Sequence, residues 1–116
     1  MVTVDEIANL ARTLPRSTEV IVHGRLKFRV GAIVYLAFSA DFATMGFAFP
    51  KEWRQVIVDG EPHKFSLPSQ SDMRFNWVHA RLDALETPEA LDLVLDAWRM
   101  VVPKRVAAAY DAANTT

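Results

Sequence analysis

The part of the chain that decides its fold reads MRFNWVHARLD at residues 73–83 and TPEALDLVLDAWRMVVPKR at residues 87–105. The first segment alternates with the period of a β-strand. The face suited to a core carries Asn76, Val78, Ala80 and Leu82. The opposite face is aromatic and cationic and carries Phe75, Trp77, His79 and Arg81. The second segment places apolar residues at helical spacing, which predicts a helix that covers the sheet.

The first half of the chain predicts a helix followed by a run of strands. Thr3 and Glu6 form a capping box, apolar residues follow at helical spacing, and Pro15 ends the helix. We expect one strand over residues 19–30 and a central strand over residues 32–38, apolar on both faces and covered on both. A third strand is expected over residues 44–49. The connections are too short for parallel crossovers, so the strands are predicted to form an antiparallel meander.

The second half predicts more helices and a late strand. Pro50 introduces a helix over residues 51–58, and residues 61–74 read as a loop with a short strand at 63–67. Thr87 and Pro88 begin the long helix, and Pro103 separates it from a short terminal helix. The prediction is one domain over residues 1–116 of the α+β class. Its order is α-β-β-β-α-β-β-α, with helices mainly on one face of an antiparallel sheet.

Composition excludes several classes of protein. Hydrophobic residues make up 51% of the 116 residues, which is enough for a core. The 13 basic and 14 acidic residues give a net charge of −1, which argues against a protein that coats nucleic acid but allows a local basic patch. The absence of cysteine excludes disulfides, thiolate metal sites and a cysteine nucleophile. The N-terminus has no signal-peptide pattern, and the longest apolar run is too short to span a bilayer. We therefore expect a soluble cytoplasmic protein without a membrane partner.

Four motifs in order resemble the MmcQ/YjbR-like family. They are FRVGAIVY at residues 28–35, WVHARL at 77–82, AW at 97–98 and PK at 103–104. The resemblance covers roughly the whole chain. It implies a double-wing fold, similar in topology to the small secretion chaperones, and it carries a DNA-binding label. It brings no established biochemical role beyond that label, and it implies no catalytic residues and no cofactor.

Two groups of side chains are candidates for a nucleic-acid interface. Arg25, Lys27 and Arg29 alternate on one strand face, where they would contact phosphates or merely keep an outer strand soluble. An aromatic of the other group would stack an unpaired base or a planar ligand, or else Phe75 and Trp77 are covered by a helix, with His79 and Arg81 at the wet margin. The candidate binding residues are Arg25, Lys27, Arg29, Arg74, Trp77, His79 and Arg81. The long loop at residues 62–74 is the best place for a binding lip.

Metal binding and catalysis find no support in the residue pattern. His23, His63 and His79 lie in separate segments, whereas zinc needs three or four converging ligands. The loop serines lack a nucleophile context, and there is no glycine-rich phosphate loop. The acidic residues of the long helix read as solvated surface. We expect no metal, no cofactor and no enzymatic activity.

Three hypotheses follow, in descending order. The first is a non-enzymatic domain that binds nucleic acid, DNA or another, weakly through a basic and aromatic surface. The second is a peptide- or protein-binding dimeric adaptor that acts like a chaperone. The third is an enzyme or small-molecule pocket. A continuous positive face would favour the first, an apolar two-fold patch the second, and a deep polar pocket with a histidine the third. The sequence leaves monomer and homodimer open.

Overall fold

The computed structural model describes residues 1–115, over which it contains four α-helices and six β-strands. The helices are α1 (Val4–Thr13), α2 (Lys51–Gly60), α3 (Thr87–Val101) and α4 (Lys104–Ala113). The strands are β1 (Ser17–Val22), β2 (Arg25–Val30), β3 (Ile33–Phe38), β4 (Thr44–Ala48), β5 (Phe65–Ser66) and β6 (Trp77–Arg81). All six form one antiparallel sheet in the order β1-β2-β3-β4-β6-β5. The predicted α+β class is confirmed.

The predicted single strand over residues 19–30 is wrong, because the chain reverses in its middle. β1 and β2 form a hairpin whose two-residue loop is His23-Gly24, with φ values of 52° and 75°. Positive φ at both loop residues is the conformation whose twist suits a tight hairpin. The observed order is therefore α-β-β-β-β-α-β-β-α-α. β1, rather than β2, forms this edge of the sheet, and β5 forms the other.

The hydrophobic core lies between one face of the sheet and the helices α1 and α3. α3 lies against β3 and β4, and α1 packs beside it against β1. The sheet contributes fully or nearly fully buried side chains to this core, among them Phe28, Leu36, Phe38, Met45, Phe47, Val78 and Ala80. Trp98 of α3 is completely buried, and its indole Nε1 donates a 2.9 Å hydrogen bond to the Pro15 carbonyl. The predicted covering helix is confirmed.

The opposite face of the sheet is open at its centre. The prediction that residues 32–38 are covered on both faces is wrong, because α1 and α3 both lie on the same side. Ile33 is 56% exposed, and Val34 and Ala37 are half-buried. The apolar character of β3 on this side therefore forms the bed of a groove rather than a second core.

Several local predictions are confirmed. The capping box is present, with the Glu6 amide donating to the Thr3 hydroxyl and Glu6 accepting from the Thr3 amide. The short strand expected at residues 63–67 is β5, and the terminal helix after Pro103 is α4. Within residues 1–115, every helix falls short of the length and apolar character needed to cross a bilayer.

Candidate ligand-binding groove on the open face of the sheet

A groove of about 820 Å³ runs along the open face of the sheet and reaches Met100 and Val101 at the end of α3, and we call it the sheet groove. Its floor is made of small residues of β3 and β4, namely Ala37, Gly46 and Ala48. Arg25 and Lys27 of β2 stand on one side, and Trp77 and His79 of β6 stand on the other. The groove thus has a cationic wall and an aromatic wall, separated by a floor that projects almost no side chain.

The strand register places the two walls opposite each other. Lys27 pairs with Ala37, Ala37 with Gly46, and Gly46 with His79, so these four residues form one row across the sheet. Neighbouring strands lie about 4.8 Å apart, so the backbones of Lys27 and His79 are about 14 Å apart over three strand spacings. Both side chains line the groove.

Trp77 sits directly over Gly46. A Cβ at Gly46 would lie 2.5 Å from Nε1 of Trp77 and 2.7 Å from its Cε2 and Cζ2. The indole therefore rests in the space that a side chain at position 46 would need. This arrangement leaves Trp77 half-buried, with part of the indole facing the groove.

Arg54 of α2 holds the segment that carries Trp77. β5 is only two residues long and pairs with Ala80 and His79, so the carbonyls before His79 on that side of β6 lack a strand partner. Arg54 Nη1 donates to the Phe75 carbonyl at 2.8 Å and to the Trp77 carbonyl at 3.2 Å, and its Nη2 donates to the Met73 carbonyl. Arg54, which is 6% exposed as a whole residue, supplies with its guanidinium the donors that a neighbouring strand would give.

The positive charge of the groove comes from Arg25 and Lys27. Neither has a carboxylate within salt-bridge distance anywhere in residues 1–115. Burial lowers the pKa of His79, and the nearby Asp72 carboxylate opposes that shift more weakly. His79 is therefore neutral at pH 7 and contributes a polar aromatic ring instead of a charge.

The groove collects four of the seven residues predicted from the sequence: Arg25, Lys27, Trp77 and His79. Arg29 is exposed on β2 and does not line it. Arg74 places its guanidinium 4.7 Å from the centre of the Phe75 ring, and Arg81 is paired with Asp83 at 2.9 Å. The structure thus splits the predicted surface into groove residues and three cations outside the groove.

The interpretation that a helix covers Phe75 and Trp77 is wrong. Phe75 lies before β6, is 50% exposed and stands at the edge of the groove. Trp77 is only half-buried, and its indole lies against Gly46 of the strand β4. The predicted binding lip at residues 62–74 contributes Asp72 to the groove.

Sequence reasoning missed the residues of the groove floor and Arg54, which braces β6 through hydrogen bonds to its backbone. Ala37 and Ala48 carry no chemical signal, and Arg54 reads as one more charge on a surface helix. Gly46 did carry a signal, because a glycine inside a strand marks a place where another group approaches closely.

The groove contains few side chains that could perform chemistry beyond binding. Over residues 1–115, histidines and carboxylates nowhere converge in a group that could hold a metal ion. In the same range, His79 forms no hydrogen bond to a nucleophilic side chain. The arrangement is suited to hold an anionic group at one wall and a planar group at the other.

Comparison with known proteins shows that this chain has a fold similar to that of a solved structure. No protein-family model and no curated protein sequence matches the chain. The crystal structure of the Deinococcus radiodurans protein DR2400, which carries a DUF419 domain, is similar with a TM-score of 0.76. The match covers 97% of this chain and 88% of that one at 20% sequence identity. The chain therefore shares its fold with a DUF419 protein.

Proposed function

We propose that this chain is a non-enzymatic, cytoplasmic nucleic-acid-binding domain of the MmcQ/YjbR-like, double-wing family, and that the sheet groove is its binding site. The family assignment is supported by the ordered motifs of the sequence together with the fold shared with DR2400. The binding proposal is supported by the groove itself.

One observation carries the binding proposal. Two cations without carboxylate partners, Arg25 and Lys27, face Trp77 and His79 across a floor of small residues. Lys and Arg supply the phosphate contacts on which most affinity for nucleic acid depends. Aromatic rings supply platforms on which bases stack. A ligand that carries both phosphates and planar rings matches both walls of the groove.

The same observation limits the strength of binding. Among residues 1–115, two cations, Arg25 and Lys27, and one carboxylate, Asp72, line the groove, and the whole chain has a net charge of −1. Few phosphates are neutralised at once, so binding is weak, tolerant of sequence and dependent on salt.

Charge reversal inside and outside the groove tests the proposal. The double variant Arg25→Glu/Lys27→Glu removes the cationic wall. The matched control Lys104→Glu/Arg105→Glu makes the same change in net charge on α4, outside the groove. We expect fluorescence anisotropy with labelled oligonucleotides to show binding by the wild type and the control but not by the groove variant. Equal binding by all three proteins would reject the groove as the site.

The adaptor function is the second candidate, and one observation favours it. α2 exposes Trp53 (61%) and Val56 (63%), which lie one turn apart on the same side of the helix. Contiguous exposed apolar patches mark contact surfaces for proteins. Light scattering of the wild type and of Trp53→Ser/Val56→Ser tests this alternative. A wild-type dimer that the double variant converts to a monomer would favour the adaptor.

A further inference from the structure

We infer that the sheet groove binds a single, unpaired nucleic-acid strand, with a base against Trp77 and a backbone phosphate at Lys27. This inference rests on the proposed function and names its ligand class. Three independent features of the groove favour an unpaired strand over a duplex.

The first feature is the depth at which the aromatic ring lies. Trp77 rests over Gly46 on the bed of the sheet instead of projecting from a loop. The bases of a duplex are stacked on one another, and an enzyme reaches one only by extruding it from the helix. An unpaired base pays no such cost and stacks directly on an aromatic side chain, with little preference for its identity. A recessed indole therefore favours bases that are already unpaired.

The second feature is the preorganisation of the aromatic wall. Arg54 fixes the carbonyls on one side of the segment, as described above. On the other side the Asn76 carbonyl accepts from the Phe49 amide at 3.2 Å, and the Asn76 Oδ1 accepts from the Lys51 amide at 3.0 Å. A stacking platform held on both sides loses little conformational freedom when a ligand binds. This rigidity compensates for the small number of contacts that a short strand makes.

The third feature is the distribution of charge around the groove. Duplex binding without sequence readout depends on many phosphate contacts. Of the three other predicted cations, Arg81 is paired with Asp83, Arg74 lies over Phe75, and Arg29 is exposed on β2 outside the groove. Arg25 and Lys27 remain, and they stand in the groove itself. A duplex would find few phosphate contacts on this face, whereas one strand crossing the groove meets both cations and the indole.

A comparison of matched probes tests the inference. The probes are a labelled mixed-sequence DNA strand of about 12 nucleotides and the same strand annealed to its complement. The proteins are the wild type, Trp77→Ala and the control Trp53→Ala, whose exposed ring lies outside the groove. We expect the wild type to bind the single strand at least about tenfold more tightly than the duplex. Trp77→Ala should weaken single-strand binding by about tenfold to a hundredfold, while Trp53→Ala leaves it unchanged.

Thermal melting of each variant establishes that it is folded. A second readout follows binding to the wild type by NMR. The indole N–H resonance of Trp77, assigned by comparison with the variants, should shift when the single-stranded DNA is added. A duplex that binds as well as the single strand would overturn the inference and leave the proposed function standing. Absence of binding to either probe would overturn both. Single-strand binding that leaves the Trp77 resonance unmoved would also overturn the inference.

Discussion

The indole of Trp77 fills the space into which a side chain at Gly46 would project. A Cβ at position 46 would lie 2.5 Å from the indole Nε1, a distance that no ordinary carbon contact reaches. The two residues belong to neighbouring strands, β4 and β6, which join parts of the chain about thirty positions apart. The missing side chain of one residue therefore sets the position of the other, and with it the shape of the groove.

Gly46→Ala should displace Trp77 and destabilise the protein. The new methyl group requires the indole to move, and overpacking of this kind costs about 1–3 kcal/mol. Chemical denaturation measures the loss. Gly60→Ala is the matched control, because nothing lies within 4 Å of its added Cβ, and we expect no loss there. An equal free energy of unfolding for Gly46→Ala and wild type would mean that the indole is free to leave Gly46.

Arg54→Met should expose the dependence of β6 on its brace. The substitution keeps much of the side-chain volume but leaves the carbonyls of Met73, Phe75 and Trp77 without their donors. Unsatisfied buried acceptors cost about 1–3 kcal/mol each, partly offset because a buried charge is removed. We expect a net loss of about 2 kcal/mol or more. Arg54→Lys, which keeps a cationic donor, should fall between Met and the wild type. The order is read from urea denaturation, and an unchanged midpoint for Arg54→Met would contradict it.

The class of the fold could be predicted because its signals are local. The capping box at Thr3, the alternation around Val78 and the apolar stripe around Trp98 each lie within one element. The hairpin at residues 23–24 was missed because histidine is a less usual loop residue than asparagine or aspartate before glycine. Histidine is nevertheless among the residues that adopt positive φ more readily than most, so His23-Gly24 did contain a signal.

The groove could be predicted only in part, because its walls come from distant strands. Alternation identified Lys27 and Trp77 as members of outward faces, but no spacing in the sequence brings those two faces together. The pairing of β4 with β6 does so, and it depends on the whole sheet. The engagement of Arg81 by Asp83 likewise became visible only in three dimensions. Arg54 gave no signal because its partners are backbone carbonyls, which every residue possesses.

Trp98→Ala should destabilise the protein severely. The side chain is completely buried, donates to the Pro15 carbonyl and packs edge-on against Tyr110 with ring centres 5.1 Å apart. Loss of a buried tryptophan costs about 3–5 kcal/mol through lost burial and the cavity that remains. Trp53→Ala serves as the control, because Trp53 is 61% exposed and its loss should cost no more than about 0.5 kcal/mol. A loss below about 1 kcal/mol for Trp98→Ala, measured by denaturation, would place that residue outside the core.

His79 should make the folded protein less stable as the pH falls. Its pKa in the folded state is lowered by burial from the ordinary value of 6.5, so the unfolded chain binds the proton more readily. The contribution to stability is complete above the unfolded pKa and is lost as the pH falls through the folded pKa. Between about pH 7 and about pH 5, the wild type should lose more stability than His79→Gln. The exposed His63→Gln is the control, and its stability should follow that of the wild type across this range. Parallel curves for wild type and His79→Gln would contradict the prediction.

The salt dependence of binding should report the two cations of the groove. Each phosphate contact with a single strand contributes a slope of about −0.7 to the plot of log affinity against log salt concentration. Arg25 and Lys27 are the cations that line the groove, so we expect a slope of about −1.4. Lys27→Gln should reduce it by about half, and Arg29→Gln, on the same strand but outside the groove, should change it little. Titrations between about 50 mM and about 200 mM salt measure the slopes. The wild-type slope could instead be steeper, with Arg29→Gln reducing it as much as Lys27→Gln does. That result would show that the nucleic acid follows the whole face of β2 and not the groove.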